Sequence, residues 1–203
     1  MKNKLKIIVF DLGNVLIPFH YDIIISKLNN IEGGLGDYFV KKYMENYSVH
    51  REFEKGKMSE GEFLSIMRNW TKNKLDDETF KRIYSEIFTV NEKMIALLPE
   101  LKKHFRLMLL SNTNSIHRQY GWGKYSFLSN FEKLFLSHEV GAVKPEKEIY
   151  LAVQNYTDES PNSHLFIDDV EEYVNAAKNL GWNAIHFRSE EQAIKEILNF
   201  VSV

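Results

Sequence analysis

Polar residues that could act on a phosphate group stand at the ends of four apolar segments of the chain. They are Asp11, Ser111 with Asn112, Lys144, and Asp168 with Asp169. Taken singly, each has an ordinary explanation, because Asp, Ser and Asn after a strand commonly form turns or helix caps. Together they supply carboxylates, a hydroxyl and a fixed positive charge, which are the groups that phosphoryl transfer needs.

The three carboxylates indicate a divalent cation. Side chains of Asp11, Asp168 and Asp169 at adjacent strand ends would repel one another unless a hard cation lay between them. Mg²⁺ accepts one or two carboxylates, keeps several waters and binds a phosphate oxygen, so we expect Mg²⁺ as the cofactor. The carboxylate that is left over could attack phosphorus and form a phosphoanhydride.

The segments between these residues predict an α/β fold. Five short apolar runs alternate with helical patterns, as in parallel strands joined by crossover helices. The runs are Lys6–Phe10, Leu107–Leu110, Leu134–Leu136, Leu165–Ile167 and Ala184–Phe187. Pro145 is expected in the first turn of the helix after Lys144. We therefore predict a Rossmann-like parallel sheet.

Residues 19–90 have a different pattern, without a comparable strand run. Ser59 and Glu62 have the spacing of a capping box, and an apolar stripe at helical period follows Asp76 and Asp77. In open parallel sheets the site lies beyond the carboxyl ends of the strands, where this helical block begins. We predict an α-helical cap domain over residues 19–90, inserted into a core domain made of residues 1–18 and 91–203.

Four motifs in this order resemble those of the haloacid dehalogenase superfamily, in particular its phosphatases with a helical cap after the first strand. The matching segments are residues 11–15, 110–112, 141–145 and 166–169. Each motif alone is weakly specific, whereas four in order at strand ends are specific for the superfamily. The match extends from Ile7 to about Gly181.

The resemblance implies a role for each site residue. Asp11 would be the nucleophile and a metal ligand, and the backbone carbonyl of Gly13 would be a second ligand. Asp169 corresponds to the direct carboxylate ligand and Asp168 to an outer one. Ser111 and Lys144 would hold the transferring phosphoryl group, and Asn112 would help to bind the substrate. A magnesium-dependent phosphatase that acts through an aspartyl-phosphate is the implied activity.

Gly13 departs from the pattern of the superfamily, which has a second Asp there as acid and base. Help from such a group is worth about 10²–10⁴-fold. The string from Phe10 to Leu16 is similar to a branch that includes α-D-glucose-1-phosphate phosphatases, which is active with glycine at this position. We expect a preference for good leaving groups, with His20 or Asp22 as candidate replacement acids and sugar phosphates as the leading substrates.

Two alternatives stay open at this point. A haloacid dehalogenase would use the same Asp11 without a metal, but such enzymes usually lack the paired carboxylates of Asp168 and Asp169. A catalytically idle binding or regulatory domain is the second alternative, and Gly13 is the feature in its favour. Against it, the other site residues are all present.

Composition restricts partners and location. The 203 residues carry a net charge of −2 and no cysteine, which excludes disulfides and cysteine-ligated zinc. Neither a nucleic acid nor a membrane surface is expected as a partner, since both need a concentrated basic face. The apolar stretch near the N-terminus reaches Asp11 too soon for a signal peptide, so a cytoplasmic location is expected. A small phosphorylated metabolite is the expected partner, and the oligomeric state is open.

Overall fold

A computed structural model describes residues 5–201, and its centre is a parallel sheet of five strands. The strand order is β3-β2-β1-β4-β5, and every neighbouring pair runs parallel. The strands are β1 (Ile7–Phe10), β2 (Arg106–Ser111), β3 (Lys133–Leu136), β4 (His164–Asp168) and β5 (Asn183–His186). The α/β class and the five strands are confirmed, with ends that differ from the predicted ones by no more than one residue.

Helices connect the strands and cover the sheet. They are α1 (Tyr21–Ile31), α2 (Leu35–Glu45), α3 (Tyr47–Glu54), α4 (Glu60–Trp70), α5 (Asp77–Ser85), α6 (Glu92–Leu101), α7 (Ser137–Val140), α8 (Lys147–Thr157), α9 (Glu171–Asn179) and α10 (Glu190–Val201). In the described part of the chain, no helix is long and apolar enough to cross a membrane.

The central strand is apolar throughout because both of its faces are covered. Alternate residues of β1 contribute to two separate core clusters: Ile8 and Phe10 pack with α6 and α10, whereas Ile7 and Val9 pack with α8. All four residues of β1 are fully buried. This double coverage explains why the strand is a continuous apolar run rather than an alternating one.

Helices α1 to α5 form a third apolar cluster after β1. Its aromatic centre includes Phe53 stacked on Phe63, with ring centroids 4.1 Å apart, and Phe80 stacked on Tyr84. Ser59 and Glu62 make the expected capping box at the start of α4. Asp76 caps α5 by accepting a hydrogen bond from the Thr79 N–H.

The chain enters and leaves the helical block along paired segments. The Thr89 N–H donates to the Pro18 carbonyl, and the Asn91 N–H donates to the Leu16 carbonyl. The Asn91 side chain also donates to the Val15 carbonyl at 3.1 Å. These contacts lie near the predicted limits of the cap at residues 19 and 90. The division into two domains stays a prediction, and residues 1–4 and 202–203 of the predicted core domain lie outside the described residues.

The segment around Lys144 differs from the prediction. Pro145 does not open a helix: α8 begins at Lys147 with Glu146 as its N-cap, and the Lys144–Pro145 peptide bond is cis. The one-turn helix α7, which the sequence reading did not include, lies between β3 and this loop. The Glu146 side chain accepts a hydrogen bond from the Val143 N–H, and this contact closes the loop from the helix side.

Candidate active site

The carboxyl ends of β1, β2 and β4 bring the predicted site residues to one edge of the sheet. Phe10 pairs with Leu109 on β2 and with Ile167 on β4. The residues that follow these positions on the three strands therefore lie side by side. The Asp11 N–H extends the ladder by donating to the Ile167 carbonyl at 2.9 Å. Parallel strands therefore make neighbours of residues that are about 100 to 160 positions apart in the sequence.

Three carboxylates meet at this edge. Oxygens of Asp11, Asp168 and Asp169 all lie within 4.8 Å of one another. Asp11 is 6% exposed and Asp168 is fully buried. Such oxygens repel one another strongly in a low-dielectric environment, and a hard divalent cation that prefers oxygen ligands would offset the repulsion.

Lys144 places a positive charge of the protein itself beside these carboxylates. Its ammonium nitrogen Nζ donates to Asp11 Oδ1 at 2.7 Å and to Asp168 Oδ2 at 2.6 Å. The side chain is 1% exposed. Burial lowers the pKa of Lys144, but the two adjacent carboxylates raise it by more, so the net shift is above the ordinary value. Lys144 is therefore a permanent cation between two acidic residues.

Burial raises the pKa of Asp11 to about 8 in the absence of a metal ion. The Lys144 ammonium opposes this shift, and the Asp168 and Asp169 carboxylates add to it. Burial likewise raises the pKa of Asp168, against the effect of Lys144. Lys144 alone thus does not balance the negative charge of this cluster.

Asn112 lines the cavity described below and also supports the loop that carries Lys144. Its amide oxygen accepts from the Lys144 N–H at 2.7 Å, and its amide nitrogen donates to the Lys144 carbonyl at 3.1 Å. The side chain therefore fixes the backbone that carries Lys144, and its contact with a substrate stays a prediction. Ser111 lies beside it and lines the same cavity, and its predicted contact with phosphate stays a prediction.

The two acidic residues after β4 are held differently. Both oxygens of Asp168 have protein partners, because Oδ1 accepts from the Val170 N–H and Oδ2 from Lys144. Asp169 Oδ2 accepts a hydrogen bond from the Asn14 side chain at 2.8 Å. The sequence reading did not identify Asn14 as a site residue. Its left-handed backbone, with φ of +55°, is one that Asn tolerates better than most residues.

Gly13 lies next to the nucleophile, and a phenyl ring occupies the adjacent space. A Cβ atom built on Gly13 would be 3.1 Å from a ring carbon of Phe19 and 4.0 Å from Asp11 Oδ2. The Gly13 carbonyl, which we predicted as a metal ligand, accepts a hydrogen bond from the Val15 N–H at 2.6 Å. Its role toward a metal stays a prediction, since a carbonyl oxygen has a second lone pair.

These residues form one wall of a cavity of about 240 Å³. We call this side the core wall; it comprises Asp11, Gly13, Ser111, Lys144 and Asp169. A second set of lining residues, which we call the cap wall, comprises His50, Arg51 and Glu54 of α3. Sequence reasoning missed the cap wall, because three polar residues on a helix without a known motif read as an ordinary solvated face.

The cap wall is a bonded cluster rather than three separate side chains. Glu54 Oε1 lies 3.1 Å from His50 Nε2, and Glu54 Oε2 accepts from Arg51 Nη1 at 3.1 Å. Arg51 Nη2 also donates to the Lys144 carbonyl at 3.0 Å. Arg51 therefore connects α3 to the same loop that Asn112 holds from the other side.

None of the histidines and acids considered as a replacement for the lost acid is confirmed. His20 and Asp22 do not line the cavity, and the His20 ring contacts the Thr89 hydroxyl at 3.3 Å. His117 does line the cavity, but burial lowers its pKa to about 3. His117 is therefore neutral at physiological pH, and its remaining ring N–H is too weak an acid to replace the missing one.

An acidic side chain introduced at position 13 should test whether the lack of an acid there sets the leaving-group preference. We expect Gly13→Asp to raise turnover of esters with poor leaving groups by up to about 10²-fold, and that of aryl phosphates much less. Because Phe19 crowds the new side chain, Gly13→Asp with Phe19→Leu should show the larger gain. The measurement is the dependence of kcat on the pKa of the leaving alcohol, which should become shallower.

Gly13→Asn is the matched control, since it has the size of Asp but no acidic proton. It should leave the leaving-group dependence as in the wild type. An equal change on every substrate, or the same effect from Asn as from Asp, would mean that the missing acid does not set this preference.

The chain is similar in sequence and in structure to known proteins over most of its length. The D-ribitol-5-phosphate phosphatase of Bacteroides thetaiotaomicron is 27% identical over 185 residues, covering 88% of this chain and 89% of that protein. A HAD family enzyme from the same organism, solved as a complex with magnesium and inorganic phosphate, matches with a TM-score of 0.80 at 27% identity and covers 91% of this chain and 94% of that one.

A third relative is a HAD-like family hydrolase of Porphyromonas gingivalis. It matches with a TM-score of 0.78 at 25% identity, covering 96% of this chain and 98% of that one. No protein-family model matches the chain. The fold and the relatives agree in their class, and together they support a phosphatase of the haloacid dehalogenase (HAD) superfamily that is similar to sugar-phosphate phosphatases.

Proposed function

We propose that the protein is a magnesium-dependent phosphomonoesterase that forms an aspartyl-phosphate on Asp11 and acts on a small sugar or polyol phosphate. The observation that carries the proposal is the position of the Asp11 carboxylate. It lies on the core wall of the cavity, bound to Lys144 and within 4.8 Å of the Asp168 and Asp169 oxygens.

Mg²⁺ fits the donor set of the core wall. The three carboxylates offer hard oxygen ligands, and the negative charge that Lys144 leaves unbalanced requires a cation. Asp11 and Asp169 would hold the ion directly, with the Gly13 carbonyl, and Asp168 would act from outside because both its oxygens are engaged. When bound, the ion would neutralise charge on the transferring phosphoryl group.

The reaction would proceed in two displacements. In the first, an Asp11 oxygen forms a bond to phosphorus while the ester P–O bond breaks, and the alcohol leaves with a proton taken from water because position 13 supplies none. In the second, water attacks the same phosphorus, releasing inorganic phosphate and the Asp11 carboxylate. Lys144 opposes the negative charge on the phosphoryl oxygens in both steps.

A small, hydroxyl-rich substrate is supported by the size of the cavity and by the relatives. About 240 Å³ is below the range of about 300–1,000 Å³ typical of sites for drug-sized ligands. The Bacteroides relative that aligns with 88% of this chain acts, by its name, on D-ribitol 5-phosphate. A sugar or polyol phosphate of five or six carbons is therefore our choice over a nucleotide.

The direct test is phosphate release from sugar, polyol, nucleotide and aryl phosphates, with Mg²⁺ and with excess chelator. Magnesium-dependent turnover of the small sugar or polyol esters is the expected result. A folded protein without turnover on any ester would favour the idle binding domain. Halide release from a 2-haloacid without Mg²⁺ would favour the dehalogenase, which the carboxylate cluster makes the weaker alternative.

Binding of Mg²⁺ should also stabilise the fold measurably. At a free concentration about 100 times the Kd, we expect a rise in Tm of about 5 to 10 °C, because relief of carboxylate repulsion appears as ligand-linked stability. Asp169→Asn should abolish most of this rise. The readout is thermal unfolding by circular dichroism, with and without Mg²⁺.

Asp158→Asn is the matched control for this experiment. Asp158 is exposed, lies away from the cluster, and has the left-handed backbone at the end of α8 that Asn also tolerates. Its Tm should rise with Mg²⁺ as in the wild type. If Asp169→Asn kept the full rise, the ion would bind elsewhere.

A further inference from the structure

We propose that the cap wall selects the leaving group of the substrate, with Glu54 accepting hydrogen bonds from its hydroxyls and excluding substrates that carry a carboxylate. This inference rests on the proposed function and narrows its substrate class. It concerns His50, Arg51 and Glu54, which line the same cavity as the nucleophile.

The position of the cap wall is what a leaving-group site requires. Asp11, Ser111 and Lys144 occupy the core wall, so a phosphate group bound to them leaves the rest of the substrate pointing away from the sheet. Residues of α3 line the same cavity, and Arg51 reaches the Lys144 carbonyl at 3.0 Å. The part of the substrate beyond the phosphate therefore meets the polar groups of α3.

The bonding within the cluster decides which chemistry it presents. The Arg51 guanidinium is already bound to the Glu54 carboxylate and the Lys144 carbonyl, and Glu54 also lies at 3.1 Å from His50. Burial raises the pKa of Glu54, but the neighbouring His50 and Arg51 lower it by more, to below its ordinary range. Glu54 is thus an anion at neutral pH.

An ionised, nearly buried carboxylate on the wall is selective in two directions. Each Glu54 oxygen has one protein partner and keeps a further lone pair, with which it can accept a hydrogen bond from a hydroxyl group; charge-assisted bonds of this kind are the stronger ones. Glu54 also repels another carboxylate, while the charge of Arg51, which could have attracted one, is already paired with Glu54. Rejection of an anionic competitor by a fixed charge is a common source of specificity.

Apolar residues complete the site without competing for the hydroxyls. Phe19, Ile87, Phe88 and Trp122 also line the cavity. Beyond the core wall, the charged side chains that line it, Arg51 and Glu54, are both on α3. A polyhydroxy chain could lie with its carbons against these rings and its hydroxyls toward Glu54.

The test compares D-ribitol 5-phosphate with D-ribonate 5-phosphate. Both are esters of a primary alcohol and have the same carbon skeleton, but the second has a carboxylate at the end remote from phosphorus. Because the leaving alcohols are alike, the lack of an acid at position 13 affects both equally. p-Nitrophenyl phosphate serves as a third substrate without hydroxyl groups.

In the wild type we expect kcat/KM to favour ribitol 5-phosphate over ribonate 5-phosphate. Glu54→Gln should lower kcat/KM for ribitol 5-phosphate by about 10- to 100-fold, chiefly through KM, with a smaller loss for the aryl ester. The same variant releases Arg51 from its partner, so ribonate 5-phosphate should gain. Glu54→Asp, which keeps the charge, should retain the wild-type order of the two esters.

Glu52→Gln is the control, since Glu52 is on the same helix and does not line the cavity. It should behave as the wild type on all three substrates. Equal losses on the three substrates in Glu54→Gln, with a lowered Tm, would assign Glu54 a purely structural role and overturn the inference. A wild type that hydrolyses the aryl ester but does not favour ribitol 5-phosphate would overturn it as well. No magnesium-dependent turnover of any ester would instead contradict the proposed function.

Discussion

Replacing Asp11 with asparagine should lower magnesium-dependent phosphate release by about 10⁴-fold or more, because the carboxylate oxygen that attacks phosphorus is lost. Asparagine keeps the shape of the side chain, and its amide oxygen can still accept a hydrogen bond from Lys144. The effect should therefore fall on turnover rather than on folding. Phosphate release under saturating substrate, together with thermal unfolding, measures both quantities.

The stability of this variant is itself informative. The raised pKa of Asp11 means that its ionised form is costly in the metal-free protein, mainly through burial and in part through Asp168 and Asp169. Asp11→Asn removes the group whose ionisation is opposed by burial and by the neighbouring carboxylates, so the Tm without Mg²⁺ should equal or exceed that of the wild type. Retained turnover in Asp11→Asn would show that another residue is the nucleophile.

A second readout separates the nucleophile from a residue that only holds the metal. Rapid quenching of the wild type during turnover should trap a phosphorylated protein, and Asp11→Asn should trap none. Asp37→Asn, at an exposed position on α2, is a suitable control and should be phosphorylated as the wild type. Phosphorylation at a site other than Asp11 would contradict the proposed mechanism.

Lys144→Met should have the largest effect on stability. The methionine fills a similar volume, but Asp11 and Asp168 lose the cation that binds both of them. Breaking a buried ion pair by removing one partner costs about 3–5 kcal/mol, since the remaining charges are left uncompensated. Urea unfolding in the presence of a chelator should show this loss in the midpoint without a change in slope.

Turnover should fall as well, by about 10²–10³-fold, because a fixed charge that opposes the phosphoryl oxygens is removed. Lys147→Met is the matched control, three residues further on at an exposed position of α8, and should cost little in either assay. Similar losses from Lys144→Met and Lys147→Met would contradict the role assigned to the buried ammonium.

The pairing of Lys144 with Asp11 can be measured as a double-mutant cycle. Lys144→Met combined with Asp11→Asn should be less destabilised than the sum of the two single variants, because the two side chains are in direct contact. Mg²⁺ should likewise restore part of the stability of Lys144→Met, since the ion supplies positive charge to the same carboxylates. Additive effects would mean that the contact at 2.7 Å contributes little.

The sequence was sufficient to predict the parallel sheet and the polar residues at its edge. Short apolar runs that end abruptly at Asp11, Ser111 and Asp168 predict buried parallel strands, since such strands are covered on both faces. The capping box at Ser59 and the cap at Asp76 were readable for a similar reason: each depends on residues within one turn of the helix.

Local signals failed where long-range contacts decide the conformation. Pro145 was expected in a helix, but the loop that it occupies is fixed by Asn112, which is 32 residues from Lys144 in the sequence. The sequence does not show this contact, so Asn112 was predicted only as a residue that binds the substrate. The contact of Arg51 with the Lys144 carbonyl is equally invisible in the sequence, since it joins residues 93 positions apart.

What the sequence determined by itself is therefore the set of chemical groups: a nucleophilic carboxylate, two further acids, a lysine and a glycine where an acid is usual. These follow from residue type and from short-range patterns. The tertiary structure alone decided that Lys144 is shared by two buried carboxylates, that Phe19 fills the space beside Gly13, and that α3 brings Glu54 to the cavity that holds the nucleophile. The physical reason is that burial, which sets the strength of charges and the access of substrate, comes from packing between elements that are distant in the chain.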